Sequence, residues 1–336
     1  MHKLGKTPAA VLLLSLLIFA FISGCGNGSP PPQKLQNLRL VGTIGPLSIP
    51  LAYMVENNVF ESVAERVTLE TWATPQQLQA IIAGGQADFV SLPTNTAATF
   101  YNRGISLKLI DCSIWNILFL ISTDPHVFSA ADLVGKRVVV PYQAAVPDAI
   151  FRYVLMKQGI DPDRDIDIYY APDPVQASQL LLSGQEHYAL LSEPSATSVI
   201  MRAEATGLTV YRNLDMNRVW QAASLGESQS AIAGTIALGD MAENDTVTRL
   251  FVEEYRKAVA WLLDNPEEAG ELGARVLADQ GFTAPVLTES LKSIDWRFVA
   301  ASDGRDDIEG FFKALMEINA NYTGGQLPDN AFYYGS

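Results

Sequence analysis

Hydrophobic positions along the chain alternate between the spacing of strands and the spacing of helices. From Leu38 onward, short apolar runs of strand length are separated by segments whose apolar residues recur at helical spacing. The first predicted strands are LRLVGTI, RVTLETWA, ADFVSL, SLKLIDCS and NILFLIS, and the helices between them are predicted over 50–57, 75–83 and 94–102. This alternation is typical of α/β folds, in which helices cover both faces of a mostly parallel sheet.

The alternation then starts again in the second half of the chain. Ser129 and Asp132 have the spacing of a capping box, RVVV predicts a buried strand, and 144–158 predicts an amphipathic helix. IDIYYA, HYALL and LTVYR predict further strands, and SAIAGTIAL predicts a strand that returns to the first unit. Beyond Asp245 the pattern is almost entirely helical, with helices predicted over 246–263, 266–278, 284–299 and 307–319.

Two stretches about a hundred residues apart share one pattern. TPQQLQAIIAGGQADFVSLPTNTA begins at Thr74, and DPVQASQLLLSGQEHYALLSEPSA begins at Asp173. In each, a Thr or Asp N-cap precedes Pro, an apolar helix, Gly-Gln and an apolar strand that ends in a loop. Ligands of open α/β sheets bind at the carboxyl ends of strands. The repeat therefore predicts two lobes whose loops, PTNTA and SEPSA, face each other across a cleft.

The two units divide the chain into a discontinuous lobe and an inserted one. We expect the first lobe to comprise 37–122 and 232–336 and the second to comprise 123–231. The chain would cross near Ser122 and return near Ala231. Two crossings form a hinge rather than a loose linker, and closure about such a hinge is a known way to bind a ligand.

The amino-terminal segment has the pattern of a bacterial lipoprotein signal. Two lysines precede the apolar run PAAVLLLSLLIFAFI, which is short for a transmembrane helix, and small residues then lead to Cys25. This predicts a signal peptide over 1–24, lipidation of Cys25, and a tether over 25–36. Acyl chains would hold the protein on the extracytoplasmic face of the cell membrane. The alternatives are an ordinary signal peptide with a chance cysteine, or an uncleaved anchor.

Composition narrows the class of function. The formal net charge of the 336 residues is −14, and no Lys/Arg run follows the first few residues, so we expect no nucleic-acid partner. Once Cys25 is lipidated, only Cys112 remains, which leaves no internal disulfide. His126 and His187 are the histidines beyond the signal segment, and HExxH, GxSxG and Walker A motifs are absent from the sequence. We therefore expect a protein that is not an enzyme and has neither metal nor cofactor.

Four segments of the sequence resemble one known family. TIGPLSIPLAYM, AGGQADFVSLPTNTAATFYNRG, LVGKRVVVPYQ and SGQEHYALLSEPSAT are similar to the solute-binding proteins of ABC importers, in the nitrate, sulfonate, taurine and pyrimidine-precursor group. The resemblance implies the type II periplasmic-binding fold, a small-molecule solute, a permease with its ATPase subunits as partners, and a monomeric receptor. Two alternatives stay open. One is a pyrimidine-synthase-like enzyme of the same fold, although its cysteine cluster is absent here, and the other is a ligand-sensing receptor for a signalling partner.

Four loops are candidates for the ligand site, because each precedes a predicted helix whose N-terminal N–H groups can bind polar ligand atoms. These loops are 45–48, 93–96, 141–144 and 192–195, and none contains Lys or Arg. Aromatic rings could sandwich a flat ligand, and amides and hydroxyls could bind its polar atoms; the alternatives are core packing and plain helix caps. The candidate ligand-binding residues are Pro46, Ser48, Trp72, Thr94, Asn95, Trp115, Asn116, Tyr142, Gln143, Glu193 and Ser230.

Glu193 influences which ligand is expected. Its carboxylate disfavours a free anion and could pair with an amine or amide N–H of the solute, or it could simply stabilise the start of a helix. With no basic residue in the four loops, the sequence predicts a small organic solute that is neutral or zwitterionic, such as a heterocycle or an aminosulfonate.

Overall fold

The computed structural model describes residues 34–226 and 228–335. The predicted signal peptide, Cys25 and most of the predicted tether lie outside these residues. The strands are β1 Leu38–Thr43, β2 Val67–Trp72, β3 Phe89–Pro93, β4 Leu107–Asn116, β5 Leu118–Ser122, β6 Arg137–Pro141, β7 Asp167–Ala171, β8 Tyr188–Ser192, β9 Tyr211–Asp215, β10 Ala233–Leu238 and β11 Asp295–Ala300. The helices are α1 Ser48–Glu56, α2 Pro75–Ala83, α3 Thr94–Asn102, α4 Val146–Lys157, α5 Pro174–Leu182, α6 Ser195–Ala205, α7 Met216–Ala223, α8 Asp240–Glu243, α9 Asp245–Asp264, α10 Pro266–Val276, α11 Ala284–Ser293 and α12 Arg305–Ile318.

These strands form two sheets flanked by helices, which confirms the predicted α/β class. The first sheet has the order β11-β4-β10-β3-β1-β2, and the second has the order β7-β6-β8-β5-β9. In the first sheet β1 runs parallel to β2 and β3, and in the second β6 runs parallel to β7 and β8. Thr74 and Asp173 cap α2 and α5 through Gln77 N and Gln176 N, so both predicted N-caps are confirmed.

Both sheets are mixed because the strands that enter them after a crossing run antiparallel. β5 starts with Leu118 opposite Ser192, the last residue of β8, and β10 starts with Ala233 opposite Pro93, the last residue of β3. A chain that enters a sheet at the end where parallel strands finish can only run back along them. We call this end of each sheet the crossing edge. It is where β1, β3, β6 and β8 end and where both crossings begin.

One large apolar cluster joins the two sheets. It includes the core of the first sheet and continues through α4 and one face of the second sheet. Trp220 on α7 stacks on Tyr153 of α4, with ring centroids 4.2 Å apart, and lies 5.2 Å from Phe311 of α12. A smaller cluster lies between the other face of the second sheet and α5 and α6.

Three elements differ from the sequence prediction. The helix predicted over 284–299 is wrong beyond Ser293, because Asp295–Ala300 forms β11, an edge strand that pairs antiparallel with β4. Pairing with β4 overrides the helical spacing of the apolar residues in that segment. The strand predicted as LTVYR is β9, which lies further along the chain. It leads directly into α7, a helix that the pattern did not predict and whose N-cap is Asp215.

A buried carboxyl group lies at the centre of the first sheet. Asp111 on β4 is fully buried and accepts a hydrogen bond from the Thr235 hydroxyl of β10, while its Oδ1 has no partner among the described residues. Burial raises the pKa of Asp111 from 3.8 to about 7, against the hydrogen bonds from Thr235 and Ser113 that lower it. The folded protein therefore holds a proton on Asp111 at pH values at which the unfolded chain has lost it.

This proton makes the free energy of unfolding depend on pH. The contribution of Asp111 is fully present below the unfolded pKa of 3.8 and is lost as the pH rises through about 7. Asp111 contributes at most about 4 kcal/mol to the free energy of unfolding, because its pKa rises from 3.8 to about 7 and one pKa unit corresponds to about 1.4 kcal/mol. Asp111→Asn should remove this pH dependence. Urea unfolding at pH 5 and pH 8 should show a smaller difference in the variant than in the wild type, and equal differences would contradict the prediction.

Candidate functional site

The candidate site is the crossing edge, where the four predicted loops lie. Each loop follows the end of a strand and leads into a helix: β1 into α1, β3 into α3, β6 into α4, and β8 into α6. Each helix therefore begins at the crossing edge of its sheet, where its N-terminus presents the positive end of its dipole. The arrangement follows from the register of β5 and β10, which fixes the crossings beside Ser192 and Pro93.

On the first sheet, the predicted hydroxyls bond to neighbouring carbonyls. Ser48 Oγ donates to Thr43 O at 2.5 Å, and the hydroxyl of Thr94 donates to Ala231 O. Both side chains are fully buried, and Pro46 is also buried. Neither hydroxyl caps its helix, so both fasten the loop to the adjacent backbone. Trp72 is half-buried, and its Nε1 donates to Ser91 O at 3.0 Å.

Asn95 stands apart from these residues because its hydrogen bonding is incomplete. It is 5% exposed, and its Nδ2 donates to Tyr322 O at 2.9 Å. Its Oδ1 is buried and has no partner among the described residues. Buried polar atoms are rarely left unpaired, so an unpaired acceptor at the start of α3 needs a reason.

On the second sheet, the loop before α4 is exposed and has unusual backbone angles. Tyr142 is 43% exposed with φ of +58°, Gln143 is exposed, and Ala144 has φ of +61°. Residues other than glycine seldom adopt these angles, and such strain is concentrated at functional sites. Ala144 N donates to Asp148 Oδ2 at 2.9 Å, so α4 supplies the acceptor that holds the loop in place.

Glu193 has an internal partner that the sequence did not indicate. Its side chain is fully buried and forms an ion pair with Arg212 of β9, and its Oε2 accepts from Thr197 N at 3.0 Å. Burial raises the pKa of Glu193 above its ordinary value, opposed by the charge of Arg212. The guanidinium of Arg212 also lies 4.3 Å from the centre of the Phe119 ring. Of the two roles left open for Glu193, this geometry favours the carboxylate that stabilises a helix start.

The predicted residues at the crossings bond to the chain itself. Trp115 is buried, and its Nε1 donates to Arg297 O at 3.0 Å. Asn116 Nδ2 donates to Asp215 Oδ1 at 3.0 Å, and Ser230 Oγ lies 2.8 Å from Trp115 O. These contacts tie the outgoing crossing, the return crossing and β11 together. Trp220 of α7, near the return crossing, lies fully in the core.

Sequence reasoning missed several residues near the crossing edge. Arg152 of α4 pairs with Asp148 at 3.1 Å, one helical turn earlier, and this i, i+4 spacing was the only local signal. Tyr170 at the end of β7 donates to Asp148 Oδ1 at 3.0 Å. Tyr322 and Arg297 come from the carboxyl-terminal part of the chain, and no pattern around them indicated that they pack beside these loops.

Every arginine identified around this edge is paired with a carboxylate. Arg212 pairs with Glu193, and Arg297 pairs with Asp295 at 3.0 Å. Arg152 pairs with both Asp148 and Asp163. An anionic ligand would have to compete with these carboxylates for a cation.

The described residues contain no group of three or more His, Cys, Asp and Glu side chains placed to hold a metal ion. Within the same residues, no helix combines the length and apolar character needed to cross a membrane. Two open surface depressions lie away from the predicted residues. One is beside Arg39 and Arg66, and the other is between Arg152 and Glu317.

Solved structures share this fold across most of the chain. An ABC transporter from Parabacteroides distasonis matches with a TM-score of 0.74 and 22% identity, covering 89% of this chain and 98% of the other. The periplasmic aliphatic sulphonate-binding protein SsuA from Escherichia coli matches with a TM-score of 0.68 and 16% identity, covering 88% and 95%. The periplasmic nitrate-binding protein NrtA from Synechocystis PCC 6803 matches with a TM-score of 0.53 and 13% identity, covering 71% and 66%. At these identities the likeness is one of fold, and it is the two-lobe periplasmic-binding fold that the sequence predicted.

No family model matches the sequence, and no curated protein matches it.

The pair of Glu193 and Arg212 should contribute mainly to stability. Glu193→Ala leaves Arg212 and Thr197 N without their partner, and we expect a loss of about 1–3 kcal/mol in the free energy of unfolding. Urea unfolding should be measured for both single variants and for Glu193→Ala/Arg212→Ala. The double variant should lose clearly less free energy of unfolding than the sum of the two single losses. The exposed pair of Arg137 and Asp167 is the control, with a coupling below about 1 kcal/mol. Additive losses at Glu193 and Arg212 would contradict this assignment.

Proposed function

We propose that the chain is the extracytoplasmic solute-binding subunit of an ABC importer and binds a small organic solute between its two sheets. The observation that carries the proposal is the crossing edge. There, helices from both sheets begin at strand ends beside two crossings, as a two-lobe clamp requires. The solved structures with this fold include proteins named as binding sulphonate or nitrate for import. The sequence predicted a crossing near Ser122, but β5 (Leu118–Ser122) pairs within the second sheet, so the first crossing lies before it, at Ile117. The lobes of the clamp would therefore be 37–117 with 232–336, and 118–231, rather than the predicted 37–122 with 232–336, and 123–231.

The proposed solute is neutral or zwitterionic. Each arginine identified near the crossing edge already has a carboxylate partner, so a free anion would gain little without breaking an ion pair. The groups left for the solute are helix N-termini, the exposed Tyr142 and Gln143, and the unpaired Asn95 Oδ1. Thr94, Ser48, Trp115, Asn116 and Ser230 would act by holding the loops and crossings in place.

A binding role is also favoured over catalysis by the positions of the histidines. His187 Nδ1 lies 3.0 Å from Thr123 Oγ1, at the end of β8 opposite the crossing edge, and His126 follows β5 at the same end. Neither is beside the four loops, so neither could serve as a base for a ligand bound there. ATP hydrolysis would belong to partner subunits, and the receptor would work as a monomer delivering solute to the permease.

Substitution of Tyr142 tests whether the solute binds in the proposed clamp. Native mass spectrometry of the protein purified from its own host should detect a retained solute, and calorimetry then gives the affinity. We expect Tyr142→Ala to weaken binding about tenfold through lost contact area. Tyr169→Ala is the matched control, because Tyr169 is 40% exposed on β7 and lies outside the four loops. Equal effects of the two substitutions, or a protein that never retains a solute, would argue against the proposal.

Membrane attachment is proposed to occur through lipid on Cys25, with 25–36 as the tether. Cys25→Ala should prevent incorporation of labelled palmitate and leave the protein unprocessed or released from the membrane fraction. Cys112→Ala is the control, since Cys112 is buried in the first sheet and should not affect labelling. Undiminished labelling of Cys25→Ala would show that the lipid is attached elsewhere or that the segment is not a lipoprotein signal.

A further inference from the structure

We propose that the start of α3 and the turn at Ala320–Thr323 form a subsite for a hydrogen-bond donor of the solute, with Asn95 Oδ1 as acceptor and Tyr322 as the wall towards the second sheet. The inference rests on the proposed function and deepens it. It predicts that the solute carries an ammonium, amide or hydroxyl group, and it adds Tyr322 from the carboxyl-terminal turn to the site.

The orientation of the Asn95 amide follows from its partner. A main-chain carbonyl can only accept, so the atom of Asn95 that lies 2.9 Å from Tyr322 O must be the NH₂ group. The other atom, Oδ1, is then an acceptor, and it is buried without a partner among the described residues. An unsatisfied buried acceptor costs about 1–3 kcal/mol, which a ligand N–H or O–H group would recover.

Tyr322 connects the two sides of the proposed cleft. Its main-chain oxygen accepts from Asn95 Nδ2 and lies 3.2 Å from Thr99 Oγ1, so its backbone is fixed on α3 of the first sheet. Its half-buried phenol lies within the electrostatic influence of Asp148, Arg152 and Tyr170, which belong to α4 and β7 of the second sheet. The side chain therefore spans from the start of α3 towards the start of α4.

The electrostatics at Tyr322 favour a donor over an acceptor. The pKa of Tyr322 is raised to about 12, first by burial and then by the charge of Asp148, while the charge of Arg152 opposes this more weakly. The negative charge of Asp148 thus has a larger effect on the phenol than the positive charge of Arg152, which lies one turn along α4 from Asp148. A negative potential attracts an ammonium or a polarised N–H group and repels nitrate or sulfate.

Matched probes that differ only in the donor group can test the subsite. The pairs are taurine with ethanesulfonate, and 4-aminopyrimidine with 4-methylpyrimidine, titrated by calorimetry into the full chain in detergent micelles. In a pair that binds, the donor-bearing member should bind at least about tenfold more tightly. Asn95→Ala should reduce this ratio to within about twofold. Asn95→Leu, whose side chain has the same branched arrangement of heavy atoms as Asn, provides a second variant if Asn95→Ala folds poorly.

Thr99→Val is the matched control for the main-chain contact. It removes the other side chain that reaches Tyr322 O and keeps Asn95 Oδ1, so the donor preference should persist. Equal affinities within a binding pair, or a preference that survives both Asn95 variants, would overturn the subsite. Absence of binding by any donor-bearing probe would overturn the assigned solute class. In either case, a different solute retained from the host would leave the proposed import function standing.

Discussion

The antiparallel entry of the two crossing strands determines the rest of the architecture. β5 and β10 each enter a sheet at the end where the parallel strands finish. As a result, both crossings and the starts of α1, α3, α4 and α6 lie at one end of each sheet. Dipoles and free N–H groups are then concentrated at the end of each sheet where both crossings lie. The position of the candidate site is therefore determined mainly by the topology of the strands, and particular side chains have a smaller influence on it.

The side chains at this edge are largely engaged with one another. Glu193 with Arg212, and Asp148 with Arg152 and Tyr170, are internal networks that fix the starts of α6 and α4. Removing one member of such a network leaves the other charge poorly solvated, so these residues shape the site by positioning backbone. Asn95 differs because one of its two polar atoms is left unpaired within the described residues. Positioning and recognition are thereby divided between different residues.

The sequence allowed the fold to be predicted because alternation is a local property. Pro with a Thr or Asp cap, then an apolar helix and an apolar strand, specifies one unit whatever surrounds it. β11 was missed because its strand character comes from pairing with β4, about 180 residues earlier in the chain.

The site was less predictable for the same reason. Partners such as Arg212 for Glu193, and Tyr322 for Asn95, are contributed by segments that no local pattern connects. Ser48 and Thr94 illustrate the limit: a hydroxyl at a helix start predicts a cap or a ligand contact, yet both bond to nearby carbonyls.

The shared apolar cluster has a consequence for how the molecule unfolds. Tyr153 and Trp220 lie in the segment between the two crossings, whereas Phe311 comes from α12, beyond the return. Neither half of the chain can complete this core without the other. Residues 118–231, excised alone, would expose the faces of α4 and α7 that pack in the intact molecule. Although the topology shows two sheets, their unfolding is therefore coupled into one cooperative transition, and the inserted half is not an autonomous folding unit.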